Sequence, residues 1–136
     1  MFSVRVRVRG YELDMNGHVN QAVYMRYGEH ARWECLRAAG VTAEAQTASG
    51  VGMIVLELTI RFLNELRDGD ELDVSCAYGA KGGKTFTVRH ELRRTDGVLA
   101  AEITGVGGML DLAARRLVPD PMGRMKSLAT NPDLLD

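Results

Sequence analysis

Residues 4–9 run Val-Arg-Val-Arg-Val-Arg, and this period of two predicts a half-buried strand with a solvated basic face. A polar, glycine-punctuated stretch follows from Gly10 to His18, after which the period changes. Val19, Val23, Tyr27, Ala31 and Cys35 recur every four residues, with Tyr24, Leu36 and Ala39 widening the stripe. That spacing predicts an amphipathic helix of about five turns, stopped by Gly40. Asn20 is placed to cap its start, and Val19 with Tyr24 to staple it. Residues 41–52, rich in Ala, Thr, Ser and Gly, read as a mobile connector with room for a short helical turn.

Alternation then returns. Leu56, Leu58, Ile60 and Phe62 form one apolar set, Leu72, Val74, Cys76 and Tyr78 a second, and Phe86, Val88, His90 and Leu92 a third. Turns are expected at Asp68-Gly69-Asp70, at Gly79 to Gly83, and most strongly at Asp96-Gly97, a typical hairpin pair. The last strand runs from about Val98 to Leu112, with Gly105, Gly107 and Gly108 marking a bulge or a close backbone approach. The order strand, long helix, four strands predicts an α+β fold, one helix packed on a curved, mainly antiparallel five-stranded sheet. Residues 1–118 form the expected domain, and 119–136, where periodicity fades among prolines, a loosely docked tail. One helix cannot cover a whole sheet, so its edges or second face favour a homodimer or homotetramer.

Composition narrows the function. A length of 136 residues suits one domain with a real core. A net charge of −1 gives no support to a nucleic-acid or anionic-membrane partner. No run of about 18 apolar residues predicts a membrane span, and the N-terminus lacks the features of a signal peptide. Cys35 and Cys76 have no metal-binding spacing and read as two free thiols in a reducing cytoplasm. The three histidines are scattered, which argues against zinc, and there is no Gly-x-Ser-x-Gly elbow. Gly105-x-Gly107-Gly108 opens no helix and so is no nucleotide loop. A cytoplasmic protein without metal or cofactor is expected.

Chemistry concentrates between Tyr11 and Asn20. Asp14, Asn16, Gly17, His18 and Asn20 fall immediately before the long helix, whose first turn exposes unpaired amides and a partial positive charge. A carboxylate there can attack a carbonyl or activate water while an amide near Gln21 holds the developing oxyanion. Asp and Asn also gather before helices simply because they cap and turn well, and His18 has a plain surface reading. Further on, His90 falls on the apolar side of its strand and reads as a hydrogen-bonded core histidine. Glu29 and Arg32 have the spacing of an i,i+3 ion pair. Met53, Phe62 and Met109 are candidates for lining an apolar groove.

The run Asp14-x-x-Gly17-His18-Val19-Asn20-x-x-x-Tyr24, followed by Glu29-x-Ala31-Arg32, resembles the 4-hydroxybenzoyl-CoA thioesterase family of hot-dog proteins. Lys84-Thr85-Phe86 with Arg89-His90, then Asp111, Arg115-Arg116 and Pro119, extend the resemblance over residues 3 to 120. The resemblance implies a hot-dog fold and hydrolysis of acyl-CoA or acyl-carrier-protein thioesters without a cofactor. It implies Asp14 as nucleophile or general base, the Gln21 backbone amide as oxyanion donor, and Lys84 and Thr85 as contacts to coenzyme A. It also implies an acyl groove completed by a neighbouring subunit. Asp14-x-Asn16-x-His18 further resembles a stretch of plant acyl-carrier-protein thioesterases, which implies catalytic roles for Asn16 and His18. Two departures stand out: Gly82-Gly83 replaces the family's arginine pair, and His18 replaces an apolar residue. Two other readings keep the fold: a hydratase or dehydratase, whose Asp-to-His spacing is longer than the one here, and a non-catalytic acyl-binding module. A second carboxylate on the helix, Glu29, is the alternative to its pairing with Arg32.

Overall fold

The computed structural model describes all residues, 1–136. Its elements are β1 (Phe2–Arg7), the long helix α1 (Gln21–Ala39), α2 (Ala43–Ala48), β2 (Val51–Phe62), β3 (Glu71–Gly82), β4 (Thr85–Arg94), β5 (Leu99–Asp111), β6 (Arg116–Leu117) and α3 (Pro121–Ser127). The sheet order is β1-β3-β4-β5-β2, with antiparallel pairing throughout and the two-residue β6 added beside β5. The chain therefore crosses on α1 from one sheet edge to the other, and the curved sheet wraps that helix. This is the hot-dog arrangement. No helix is long and apolar enough to cross a membrane.

Side-chain alternation explains the strands. Leu72, Val74, Cys76 and Tyr78 on β3 and Phe86, Val88, His90 and Leu92 on β4 are all buried beneath the helix. On α1, Tyr24, Tyr27, Ala31, Cys35, Leu36 and Ala39 supply the opposing stripe. Asn20 caps the helix, its Oδ1 accepting the Ala22 N–H at 2.9 Å. Gly40 ends it at φ 83°, and a Cβ there would lie 2.0 Å from Thr130 Oγ1, so both backbone and packing demand glycine.

β2 starts at Val51, five residues before the alternation beginning at Leu56, because residues 51–55 form a continuous apolar run with no period to read. A bulge between Val55 and Glu57 shifts its register against β5. The core-facing set accordingly changes from Val51 and Met53 to Leu58 and Ile60. The glycines of β5 answer this bulge rather than forming one: a Cβ on Gly107 would sit 2.6 Å from Phe86 Cζ and 2.7 Å from the Ile54 carbonyl. The connector does contain the short helix, capped by Thr42 Oγ1 on the Ala45 N–H at 2.9 Å.

The C-terminal segment differs from the loose docking expected of it. Met122, Met125 and Leu135 are 6%, 0% and 1% exposed, and the Asn131 N–H donates to Ala39 O at 2.9 Å. These few apolar residues are too widely spaced to show a period, yet residues 132–135 pack against α1, and α3, with Met122 and Met125, packs on that segment and on β4. Of the residues proposed to line a groove, Met109 is fully buried in the core.

Candidate active site

Residues 13–19 make a tight turn rather than an extended loop. Leu13 bridges Val19, the Asp14 N–H donates to His18 O at 2.8 Å, and the Gly17 N–H donates to Asp14 O at 3.1 Å. Gly17 adopts φ 79°, which a side chain would strain. The turn brings Asp14 and His18 together across its base: His18 Nδ1 lies 3.2 Å from Asp14 Oδ2 and 3.4 Å from Val19 O. Asp14 Oδ1 accepts the Asn16 N–H at 2.9 Å, while Asn16 itself sits exposed at the tip. The Asp14 side chain remains 25% exposed, desolvated enough to be held in place and open enough to meet a substrate.

The turn feeds directly into α1. Asn20 Oδ1 takes the Ala22 amide and Asn20 O takes that of Val23 at 2.9 Å, leaving the Gln21 amide without a protein acceptor. Asp14, Asn16, His18, Gln21, Tyr24 and Phe62 line one cleft of about 550 Å³, which continues onto Leu63, Asn64 and Glu65. That facing loop is anchored: Leu63 and Asn64 both donate to Ala100 O, and Leu66 O accepts the Val19 N–H at 2.8 Å. The Tyr24 and Phe62 rings meet edge-on at 5.0 Å and form the apolar wall. A negatively charged oxygen, an imidazole and a free amide on a helix N-terminus can together activate water and hold an oxyanion.

One supporting pair escaped the sequence reading. Glu12 is 8% exposed, and its Oε1 accepts from the Tyr27 hydroxyl at 2.7 Å and from the Arg9 N–H at 2.8 Å. Burial, and then this carboxylate, push the Tyr27 phenol far above its ordinary pKa, so it stays a donor. The bond fastens the segment before Asp14 to α1. The fifteen residues separating its partners leave no local sequence signal.

Lys84 and Thr85 lie elsewhere. Thr85 Oγ1 bonds Gly82 O at 3.4 Å in the β3–β4 turn, and the adjacent Phe86 pairs with Gly107, beside the Met53 end of β2. Asp14 faces the Phe62 end of β2, nine residues and about 30 Å of strand away. The Glu29–Arg32 ion pair is not formed. Arg32 Nη1 instead donates to His90 Nε2 at 3.1 Å, and both Glu29 and Arg32 line a separate pocket that also holds Met53. His90 is a fully buried core histidine, as its position implied; Nδ1–H donates to Ser75 O at 2.8 Å and burial lowers its pKa to about 4. Nowhere do three His, Cys, Asp or Glu side chains converge as a metal site would require.

The curved antiparallel sheet wrapped around one long helix defines a fold class, and comparison with known proteins agrees. Residues 8–129 match the model of the thioesterase-like superfamily, and the chain belongs to that family. It is 44% identical over 71 residues to a chloroplastic acyl-acyl carrier protein thioesterase of Arabidopsis thaliana, covering 52% of this chain and 37% of that one. It is 30% identical over 81 residues to the long-chain acyl-CoA thioesterase FadM of Escherichia coli, covering 60% and 61% respectively. The chain thus spans less than two thirds of either relative. The crystal structure of YbaW, a probable thioesterase from Escherichia coli, shares the fold at TM-score 0.81 and 22% identity, covering 94% of this chain and 96% of that one.

Proposed function

We propose that this protein hydrolyses acyl thioesters of coenzyme A or of a carrier protein, with Asp14 as nucleophile or general base. The observation that carries this reading is the partly exposed Asp14 carboxylate sharing one cleft with the unpaired Gln21 amide at the start of α1. As base, Asp14 takes a proton from water while the oxygen adds to the thioester carbon. The Gln21 amide stabilises the oxyanion, the C–S bond breaks, and the thiolate leaves without strong acid assistance because thiols ionise near pKa 8–9. His18 holds the carboxylate from one side and the Asn16 backbone from the other, so both orient Asp14.

The cleft is completed, in this reading, by a second copy of the chain. β2 is a sheet edge, and Val55, Leu56 and Phe62 stand 46%, 49% and 51% exposed along it, with Leu63 just beyond its end 41% exposed. Antiparallel self-pairing of β2 reverses one strand on the other and brings the Phe62 end of one copy beside the Met53 end of the next. Lys84 and Thr85 of that second copy then approach the cleft, where they can meet coenzyme A.

The test is release of free thiol from a panel of aryl, short-chain and long-chain acyl-CoA and acyl-carrier-protein thioesters. Asp14→Asn should lower kcat by on the order of 10²–10⁴. Near-full turnover by that variant sinks the assignment. Crotonyl-CoA consumed by water addition without thiol release assigns a hydratase, and tight binding with no release assigns an acyl carrier.

A further inference from the structure

The first turn of α1 holds a second donor besides the Gln21 amide. Tyr24 follows Gln21 by three residues and so shares its face of the helix. Helical side chains lean towards the N-terminus, which carries the phenol back over the turn where that amide is exposed. The contacts of the side chain agree. Its hydroxyl meets the Leu66 backbone, and Leu66 O accepts the N–H of Val19, two residues before Gln21, at 2.8 Å. Edge-on packing against Phe62, with centroids 5.0 Å apart and planes at 88°, fixes the ring. Tyr24 lines the same cleft as Asp14 and Gln21 although the residue is 3% exposed.

The surroundings decide what the hydroxyl can do. Burial raises its pKa, the Leu66 backbone works against that rise, and the charges of Glu65 and Asp14 add to it. The phenol therefore keeps its proton and acts as a donor, not as a base. Both nearby carboxylates are engaged elsewhere. Asp14 Oδ1 takes the Asn16 N–H and Oδ2 faces His18, while Glu65 Oε1 takes the Arg67 guanidinium at 2.8 Å. The Tyr24 O–H is left for a group that enters the cleft. An oxygen that becomes negative there, with the Gln21 amide as its one backbone donor, has acceptor capacity to spare.

We propose that the Tyr24 hydroxyl is the second donor to the oxyanion, beside the Gln21 amide, and so a catalytic residue of the hydrolysis. The inference rests on the thioesterase reading of this cleft. As the water oxygen bonds to the thioester carbon and its proton passes to Asp14, the carbonyl electron pair moves onto oxygen. That oxygen accepts from the Gln21 N–H and the Tyr24 O–H. Return of the pair expels the thiolate, and the phenol keeps its proton throughout. Tyr24→Phe retains the ring and its contact with Phe62 and removes one oxygen. It should lower kcat by about 10²–10³ with KM nearly unchanged. The acid limb of the kcat/KM profile should stay in place; a hydroxyl that served Asp14 instead would, when removed, raise the carboxylate's pKa and move that limb upwards. Binding supplies a readout without turnover. The probes are acetonyl-CoA and its trifluoromethyl counterpart, whose ketone takes up water to form a tetrahedral hydrate. The wild type should prefer the trifluoromethyl compound, and Tyr24→Phe should cut that preference at least about tenfold while leaving acetonyl-CoA affinity unchanged. Unchanged kcat in the folded variant, a displaced acid limb, no preference in the wild type, or an undiminished one in the variant overturns the proposal. Absence of thiol release from every thioester would refute the hydrolase reading, while the comparison of the two ketones would still decide where the hydroxyl acts.

Discussion

His90 makes acid stability a sharp test of the packing between α1 and the sheet. The imidazole is 0% exposed and donates through Nδ1 to Ser75 O, while Nε2 faces the Arg32 guanidinium at 3.1 Å. Protonating Nε2 would put two cations together in a buried site and remove the acceptor of the Arg32 bond. Burial first, and then Arg32, therefore lower the pKa from 6.5 to about 4. Above 6.5 the ring is neutral in both folded and unfolded chains. Below it the unfolded chain takes up the proton and the folded chain resists, so stability falls as pH drops towards 4. At 1.36 kcal/mol per tenfold, that gap removes about 3 kcal/mol, a large share of a small domain's stability. Urea unfolding at about pH 7 and about pH 4.5 measures the loss, with His90→Gln as the control that cannot titrate. The variant should be less stable at neutral pH but lose about 2 kcal/mol less on acidification, since carboxylate contributions are common to both proteins. Parallel losses in wild type and variant would falsify the account of a neutral, buried ring.

Other consequences are as direct. Asp14→Asn tests the carboxylate through thiol release, with the loss of on the order of 10²–10⁴ given above. Met125→Ala should cost about 2–5 kcal/mol in urea unfolding, because the side chain is fully buried in a helix that packs on β4 and on residues 132–135; a loss below about 0.5 kcal/mol would show the C-terminal segment to be loosely held. Tyr27→Phe leaves the buried Glu12 carboxylate one donor short and should destabilise by about 1–3 kcal/mol; an unchanged unfolding midpoint would remove this bond from the scaffold of the Asp14 turn. Leu56→Asp, on the exposed edge of β2, should shift sedimentation towards monomer and lower activity with it. A fully active monomer would dismiss the completing role of a second copy.

Much of the architecture was legible in one dimension. Alternation at Leu72–Tyr78 and Phe86–Leu92 and the four-residue spacing from Val19 to Cys35 report local geometry, because each residue's face follows from its own strand or helix period. Asn20 and Gly40 are local too, since caps act within one turn. The same holds for Asp14: its place just ahead of the α1 amides follows from the order of the chain.

What the sequence could not fix depended on contacts between distant segments. Whether His18 faces Asp14 turned on the tight closure between Leu13 and Val19, and the position of Lys84 and Thr85 on the register of β4 against β5. Glu12 found Tyr27, and Arg32 chose His90 over Glu29, because a buried polar group takes the partner that the packed sheet brings to it, whatever its distance along the chain. Periodicity states which way a side chain points; only the folded tertiary structure decides what it meets there.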